Sequence, residues 1–226
     1  MFVITNTFTE SDLEQAVRLA RANYVDLINK YVKAHGPTSS LCMLQVETEV
    51  REYLKDALTG CHGLSVGAVF AKDQNTGEVI GFVICLTGHI VTDCGLNYMV
   101  VDKRYRRQGV MRAMLGDIMN RFSFIGISCN VDKVPYYEAL NFRVTGSDMV
   151  QVAMSWGLNK AQATMNLINF DGSVELHQAM LTFMRVAGTR GNAIMNKLAK
   201  EQERQISYVK LYASKRLSGA SHASSV

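Results

Sequence analysis

The stretch Val100-Val-Asp-Lys-Arg-Tyr-Arg-Arg-Gln-Gly-Val-Met-Arg-Ala-Met114 joins an apolar run to a helix through a turn with four basic side chains. After the turn, apolar residues recur with the period of one helix face. They are Val110, Met111, Met114, Leu115, Ile118, Met119 and Phe122. The first N–H groups of a helix lack intrahelical acceptors and carry the positive end of its dipole, so they bind anions. Gly109 lets the backbone approach phosphate, and Arg106, Arg107 and Arg112 can add charged contacts. The pattern predicts an anion site, with a plain surface connection as the alternative.

The spacing Arg106-x-x-Gly109-x-Met111 resembles the (Gln/Arg)-x-x-Gly-x-(Gly/Ala) signature of the GNAT acyltransferases, with methionine at the small-residue position. The resemblance implies that this loop binds the pyrophosphate of acetyl-coenzyme A (acetyl-CoA), the acyl donor. It also implies that the strand ending in Val100 and Val101 orients the thioester. The loop residues of the expected site are Arg106, Arg107, Gln108, Gly109, Val110 and Met111.

A second stretch, Asn130-Val-Asp-Lys-Val-Pro-Tyr-Tyr-Glu-Ala-Leu-Asn-Phe142, is similar to the closing GNAT motif Asn-x6-Tyr-x3-(Gly)-Phe. Asn141 replaces the glycine, and both residues accept the left-handed conformation that follows a helix. The resemblance adds Asn130 to the acyl-CoA site and makes Tyr137 the proton donor to the departing thiolate. The alternative is that Tyr137 is an amphipathic core tyrosine. Tyr136 is one residue out of helical phase with it.

The general base is not evident from the sequence. Many family members carry a glutamate on the strand before the loop, at the position that is Gly95 here. Asp93 is the candidate base, acting through water, and Asp102 and His89 are further alternatives. Each of these three residues also fits a turn or the surface. Without a base, either the amine arrives deprotonated or the fold no longer catalyses.

Composition limits the class of protein. The chain has 226 residues, of which 48% are hydrophobic, so it can bury one substantial core. It lacks the run of about 18 apolar residues that a membrane span needs, and its N-terminus does not have the layout of a signal peptide. Five scattered cysteines without a Cys-x-x-Cys pair favour a reducing, cytoplasmic location. No zinc-ligand spacing is present, so no metal is expected.

Periodicity predicts an α/β layer whose mixed, mostly antiparallel sheet is flanked by helices, as the GNAT resemblance also implies. A capping box at Ser11-Asp-Leu-Glu14 begins a helix expected to reach about Lys33, and a second helix follows Gly36–Ser40. Strands are expected at about 64–72, 78–87 and 96–101, then a helix, a strand, a short helix and a last strand. The family-like, acyl-CoA-binding part covers residues 1–154.

Residues 155–226 are expected to form a mostly helical, basic C-terminal extension. It should hold a strand at Thr164–Phe170 and helices over 173–187 and 192–217, the latter with about five apolar residues. Residues 192–226 carry six Lys and Arg against two Glu, a net +4 that equals the formal charge of the whole chain. This favours binding of a protein partner or self-association, because five apolar residues are too few to hold the helix against its own domain. Nucleic acid is less favoured, because only Tyr208 and Tyr212 could stack on bases. The alternative is a solvated helix.

The GNAT resemblance implies an N-acyltransferase that uses acyl-CoA, with acetyl-CoA as the expected donor and an amine that the sequence does not identify. The alternative is a GNAT-like scaffold without activity that acts in assembly, for example in a viral particle or another large complex, through its extension. Met111 in the loop and Gly95 on the strand favour the scaffold, whereas Arg106, Gly109, Asn130 and Tyr137 favour the enzyme.

Overall fold

A seven-stranded sheet in the order β1-β2-β3-β4-β5-β7-β6 forms the centre of the computed structural model, which describes residues 1–88, 90–158, 160–162 and 164–223. Neighbouring strands are antiparallel except for the parallel pair β4 and β5. The expected mixed, mostly antiparallel sheet with flanking helices and a helical extension is therefore confirmed. The alternative base His89 and the last residues of the extension, 224–226, lie outside the described residues.

The bounds of the elements follow the chain. The strands are β1 Phe2–Thr5, β2 Val66–Asp73, β3 Val79–Thr87, β4 Asp93–Val101, β5 Phe124–Cys129, β6 Arg143–Asp148 and β7 Gln151–Gly157. The helices are α1 Glu10–Ala22, α2 Tyr24–Leu27, α3 Ser39–Thr59, α4 Val110–Met119, α5 Val134–Glu138, α6 Val174–Ala187 and α7 Arg190–Ala223.

Each face of the sheet buries its own apolar cluster. On one face, α1 and α3 pack residues such as Leu13 and Leu54 against Phe70 and Phe82 of β2 and β3. On the other face, α4 and α5 cover a second cluster. It includes Val69, Ile80, Met114, Leu115, Ile118, Ile125, Tyr137 and Phe142. Strand β3 is buried at eight of its nine positions because helices cover both of its faces, which explains its unbroken apolar sequence.

The predicted capping box of α1 is wrong by two residues. Thr9 caps the helix: its hydroxyl oxygen accepts a hydrogen bond from the Asp12 N–H, and the Asp12 carboxylate accepts one from the Thr9 N–H at 2.8 Å. Asp12 is buried and also pairs with Lys72 at 2.8 Å, whereas Ser11 is exposed. Thr9–Asp12 and Ser11–Glu14 both fit the capping-box pattern, and the ion pair of Asp12 with Lys72 of β2 favours the first.

The first helix is shorter than predicted, because α1 ends at Ala22 and not near Lys33. The side-chain amide of the buried Asn23 donates to the Leu19 carbonyl at 2.8 Å, and so takes an acceptor at the end of the helix. A single helical turn, α2, follows, and then Ile28 adopts an extended conformation. The apolar period therefore continues past the true helix end.

The C-terminal part departs from the prediction in two places. Strand β7 was not predicted, and it runs across the proposed domain boundary at residue 154, so the division at that point stays a prediction. Residues 164–170 form no strand. They contact α3 without regular secondary structure: the Ile168 N–H donates to the Tyr53 hydroxyl at 3.2 Å, and Phe170 packs on the Tyr53 ring.

The long helix α7 packs against its own domain despite its thin apolar stripe. It lies along the edge strand β6 and also contacts β7. Val209 and Ala213 are fully buried, and Arg216 pairs with Glu138 of α5. The argument that the helix has too few apolar residues to be held by its own domain is therefore wrong. Within the described residues, no helix is both long and apolar enough to cross a membrane.

We expect Thr9→Ala to lower the free energy of unfolding by about 1 kcal/mol, because it removes the cap of α1. Ser11→Ala, two residues away and exposed, should change it by less than about 0.5 kcal/mol. Chemical denaturation of both variants measures the difference. Equal effects of the two substitutions would contradict the assignment of the cap.

Candidate active site

The parallel strands β4 and β5 separate partway along their length. They pair only from Asp93 opposite Phe124 to Leu96 opposite Ile127. Beyond that point β4 continues beside β3 alone, with a bulge at residues 97–98. The bulge shifts the register of β4 and bends it, as bulges commonly do. The result is an opening in the sheet between the far half of β4 and the end of β5.

The basic turn leads from the far end of β4 into α4 beside this opening. Two residues of the turn take left-handed conformations, Arg107 with φ 63° and Gly109 with φ 82°. The first hydrogen bond of α4 runs from the Ala113 N–H to the Gly109 carbonyl at 2.9 Å, so the N–H groups before it lack helical acceptors. Arg107, Gln108 and Gly109 are exposed. This is the expected geometry of an anion-binding helix N-terminus.

The guanidinium of Arg106 is already engaged. Its Nη2 donates to Asn23 Oδ1 and to Asp26 Oδ2, each at 2.8 Å, and its Nε donates to the Val101 carbonyl at 3.2 Å. Burial acts to raise the pKa of Asp26, but the hydrogen bond and charge of Arg106 outweigh it and lower that pKa. Arg106 thus fastens α2 to the end of β4. Arg107 and Arg112 form no ion pair within the described residues and stay available to an anion.

The other predicted loop and strand residues are divided between the core and the surface. Val100 and Val101 are buried on opposite faces of the sheet. Val110 is buried at the start of α4, and the half-buried Met111 packs against the apolar cluster that α4 and α5 cover. Gln108 donates to the Arg104 carbonyl at 3.0 Å, which supports the turn.

Asn130 stands at the end of β5, on the other side of the opening. It is buried, and its Nδ2 donates to the Ile28 carbonyl at 3.3 Å. Its Oδ1 is buried and has no hydrogen-bond partner among the described residues. A buried oxygen without a partner costs about 1–3 kcal/mol, so this atom is suited to accept from a ligand N–H group.

Tyr137 lies in the core beside Cys129 at the end of β5, with only 8% of its surface exposed. Its ring packs edge-on against Phe142 and Tyr136. Burial, followed by the proximity of Cys129, raises its pKa, so the phenol keeps its proton at neutral pH. Its hydroxyl makes no hydrogen bond to the part of the chain that is described. Tyr136 is 44% exposed, consistent with the predicted difference in helical phase.

The predicted base Asp93 is fully buried at the closed end of the β4–β5 pair. Its carboxylate accepts hydrogen bonds from the Thr92 hydroxyl at 3.3 Å and from the Gln162 N–H. It therefore anchors the chain that follows β7. Its role as a base stays a prediction. Asp102 caps the turn, where it accepts hydrogen bonds from the Arg104 N–H and guanidinium.

A cavity of about 860 Å³ lies on the α3 face of the sheet, where β4 and β5 part. It contains a carboxylate that sequence reasoning missed, Glu49 of α3, which accepts a hydrogen bond from the Tyr98 hydroxyl at 2.7 Å. Tyr98 belongs to the β4 bulge. A signal was present, because Glu49 falls three residues after Val46 and one before Val50 on the apolar face of the helix.

One group of potential metal ligands occurs among the described residues, away from this cavity. Glu52, Cys61 and His62 bring ligand atoms within 4.8 Å of one another near the end of α3. The group is largely exposed, and a 2.9 Å hydrogen bond between His62 and Glu52 explains why two of its three residues lie close together.

Comparison with known proteins supports the family resemblance and the fold. Residues 65–144, which span β2 to the start of β6, match the family model of the acetyltransferase (GNAT) domain. Over residues 65–144 this chain is therefore similar to a GNAT acetyltransferase domain. The matched part includes the basic turn, α4 and the Asn130–Phe142 motif.

Solved structures share the fold at low sequence identity. The PaiA N-acetyltransferase of Thermoplasma acidophilum, solved in complex with coenzyme A, superposes with a TM-score of 0.53 at 14% identity and covers 70% of this chain and 99% of its own. A putative GNAT-family acetyltransferase from Desulfovibrio desulfuricans gives 0.51 at 12% identity, with the same coverage. PH1933 from Pyrococcus horikoshii gives 0.50 at 18% identity and covers 71% of this chain and all of its own. A search of curated proteins found no significant sequence match.

If the GNAT turn binds pyrophosphate, Gly109→Val should weaken coenzyme A binding more than about tenfold, equivalent to 1.4 kcal/mol. A β-branched residue is strained at φ 82° and places bulk where the backbone must approach phosphate. Isothermal titration calorimetry with coenzyme A measures the change. Gly77→Val is the matched control, because Gly77 has φ 72° and open space but lies in the β2–β3 turn. Equal affinities in both variants would contradict the assignment.

Proposed function

We propose that this protein is an N-acyltransferase that transfers an acyl group, with acetyl-CoA as the donor, to an amine. The observation that carries the proposal is the separation of β4 from β5 directly beside the unpaired N-terminus of α4. A thioester that enters between the strands can keep its diphosphate on the helix dipole, so the donor is held at two points. Recessed binding of this kind positions the acyl carbon for attack.

The donor site can be assigned residue by residue. The backbone N–H groups from Arg107 to Met111, with the side chains of Arg107 and Arg112, would bind the diphosphate. The unpaired Oδ1 of Asn130 would accept from an amide N–H of the pantetheine arm. Arg106 would act by positioning, because its guanidinium holds Asn23 and Asp26.

The chemistry requires proton movements at two atoms. The neutral amine attacks the thioester carbon, the C–N bond forms and the C–S bond breaks, leaving a thiolate. Tyr137 would donate its proton to that sulfur, because it is protonated, buried and close to the end of β5. The phenolate then regains a proton from the amine nitrogen, which keeps its remaining hydrogen as the amide N–H. No metal is needed for these steps.

Further expectations from the sequence remain part of the proposal. All five cysteines are free, which is consistent with a reducing, cytoplasmic compartment. A protein partner or second copy bound through residues 155–226 is consistent with α6, which has no buried residue and leaves Val174, Leu181 and Val186 exposed. The scaffold alternative makes the opposite prediction for coenzyme A binding.

Acetyl-CoA at a concentration well above its dissociation constant should raise the melting temperature, because a ligand that binds only the folded chain stabilises it. Differential scanning fluorimetry across an acetyl-CoA series measures this. Desulfo-coenzyme A should also stabilise the protein, and adenosine alone should do so less. No shift at millimolar acetyl-CoA would favour the scaffold alternative.

Tyr137→Phe should lower kcat by about 10²- to 10⁴-fold while leaving coenzyme A affinity nearly unchanged, as expected for a proton donor. Tyr136→Phe is the matched control and should retain most of the activity. The release of free thiol, followed with a thiol reagent, gives kcat. If the Tyr136 variant alone were damaged, the alignment of the closing motif would be one residue out.

A further inference from the structure

The cavity where β4 and β5 part is acidic, although the chain as a whole is basic. Its charged lining residues are Glu49 and Asp148, and no Lys, Arg or His is among the described residues that line it. The formal charge of the whole chain is +4. Because both charged lining residues are negative, the half-buried Glu49 and the exposed Asp148, they favour a positively charged ligand. The basic side chains of the turn are not part of this lining.

At position 95 of β4, where a carboxylate was looked for, an added side chain would meet Met165 in a tight contact. A Cβ atom added to Gly95 would lie 3.3 Å from Met165 Sδ and 3.6 Å from its Cγ. Met165 belongs to the segment that Asp93 anchors through the Gln162 N–H. The side chain over Gly95 is therefore the apolar Met165 of the C-terminal extension. The negative charge of the cavity comes from Glu49 of α3 instead.

Glu49 is held in a defined orientation within the cavity. Its Oε1 accepts from Gln45 Nε2 and its Oε2 accepts from the Tyr98 hydroxyl, both at 2.7 Å. Burial, followed by the charge of Glu49, raises the pKa of Tyr98, so the phenol remains a donor at neutral pH. Each carboxylate oxygen can accept a second hydrogen bond. The pair thus presents a fixed anion beside the β4 bulge.

The C-terminal extension supplies an apolar wall next to this anion. Met165, Leu167, Met180, Met195 and Leu198 line the same cavity. Methionine side chains are flexible and fill irregular space, so such a wall accommodates apolar groups of varied shape. A ligand that satisfies both features carries a cationic head and an apolar body.

We propose that Glu49, positioned by Tyr98, binds the ammonium group of the acyl acceptor, and that the acceptor is a primary amine with an apolar substituent packed on the methionine wall. This inference rests on the proposed function only in that the bound amine is the acceptor of the acyl group. The site itself is defined by Glu49 and the cavity lining, and its occupancy can be measured without acyl transfer.

The test uses hexylamine, 1-hexanol and hexanoate as probes of the full-length protein labelled with ¹³C at the methionine methyl groups. The 12 methionines include Met165, Met180 and Met195 of the wall, whose signals report binding directly. We expect hexylammonium to bind at least about tenfold more tightly than hexanol, the range of a hydrogen bond to a charged group. Hexanoate should bind more weakly than hexanol.

Two substitutions on the same helix provide the decisive comparison. Glu49→Gln should abolish the preference for hexylammonium over hexanol while leaving hexanol binding within about twofold, since the apolar wall is unchanged. Glu47→Gln is the control, because Glu47 pairs with Arg21 at 2.7 Å and is not part of the lining. It should keep the preference. The remaining methionine signals verify that each variant is folded.

The outcomes separate this inference from the proposed function. Equal binding of hexylamine and hexanol by the wild type, absence of binding by either, or a preference that survives in Glu49→Gln overturns the Glu49 site. Failure of acetyl-CoA to bind overturns the proposed function, but leaves the ammonium preference of the cavity to be measured. If both hold, hexylamine should compete with other amines in the transfer assay, and competition in Glu49→Gln should need about tenfold more hexylamine than in the wild-type protein.

Discussion

The loss of hydrogen bonding between β4 and β5 after Leu96 and Ile127 is the constraint on which the rest of the structure depends. A sheet with an open seam exposes unpaired backbone groups, which must find other partners. The bulge at residues 97–98 keeps β4 paired with β3 while its course departs from β5. Both the candidate donor site and the acidic cavity lie along this seam, so one irregularity of the sheet creates the space for both.

An opening in a sheet is stable only if other elements hold its sides. The segment from Asn23 to Val32 bridges the opening, because it is bonded to both of its sides. Arg106 binds Asn23 and Asp26 on the β4 side, and Asn130 binds the Ile28 carbonyl on the β5 side. A further ion pair joins Lys30 to Asp132 at 3.1 Å. The signature arginine therefore contributes to the site by building its wall, a role that its place in a basic turn does not reveal.

Sequence reasoning reached those features that local pattern determines. The basic turn, α4 and the glycine at φ 82° follow from a helix face and a short motif, and the sheet type followed from the resemblance. It failed where tertiary contacts decide. Helix α1 ends early because Asn23 is held by Arg106, which lies 83 residues away. Strand β7 was missed because its hairpin turns at Met149, with φ 48°, a left-handed conformation that methionine rarely adopts. Glu49 was missed because its partner Tyr98 lies 49 residues further along the chain.

The C-terminal extension lines the acidic cavity and also forms part of the protein surface. Helix α7 follows the edge strand β6, so Met195 and Leu198 reach the cavity on one face while Val209 is buried in the cluster on the other. Contacts on two faces of the sheet thus hold α7, although its apolar stripe is narrow. The helix also covers the edge strand β6, and an uncovered edge strand is prone to pair with other chains. Apart from Arg216, which pairs with Glu138, the basic residues of α7 are exposed without an ion-pair partner among the described residues of the domain, and Arg204 pairs with Glu201 of the same helix at 2.8 Å. The same helix can therefore line the acidic cavity and still present positive charge outward, because the two roles use different faces.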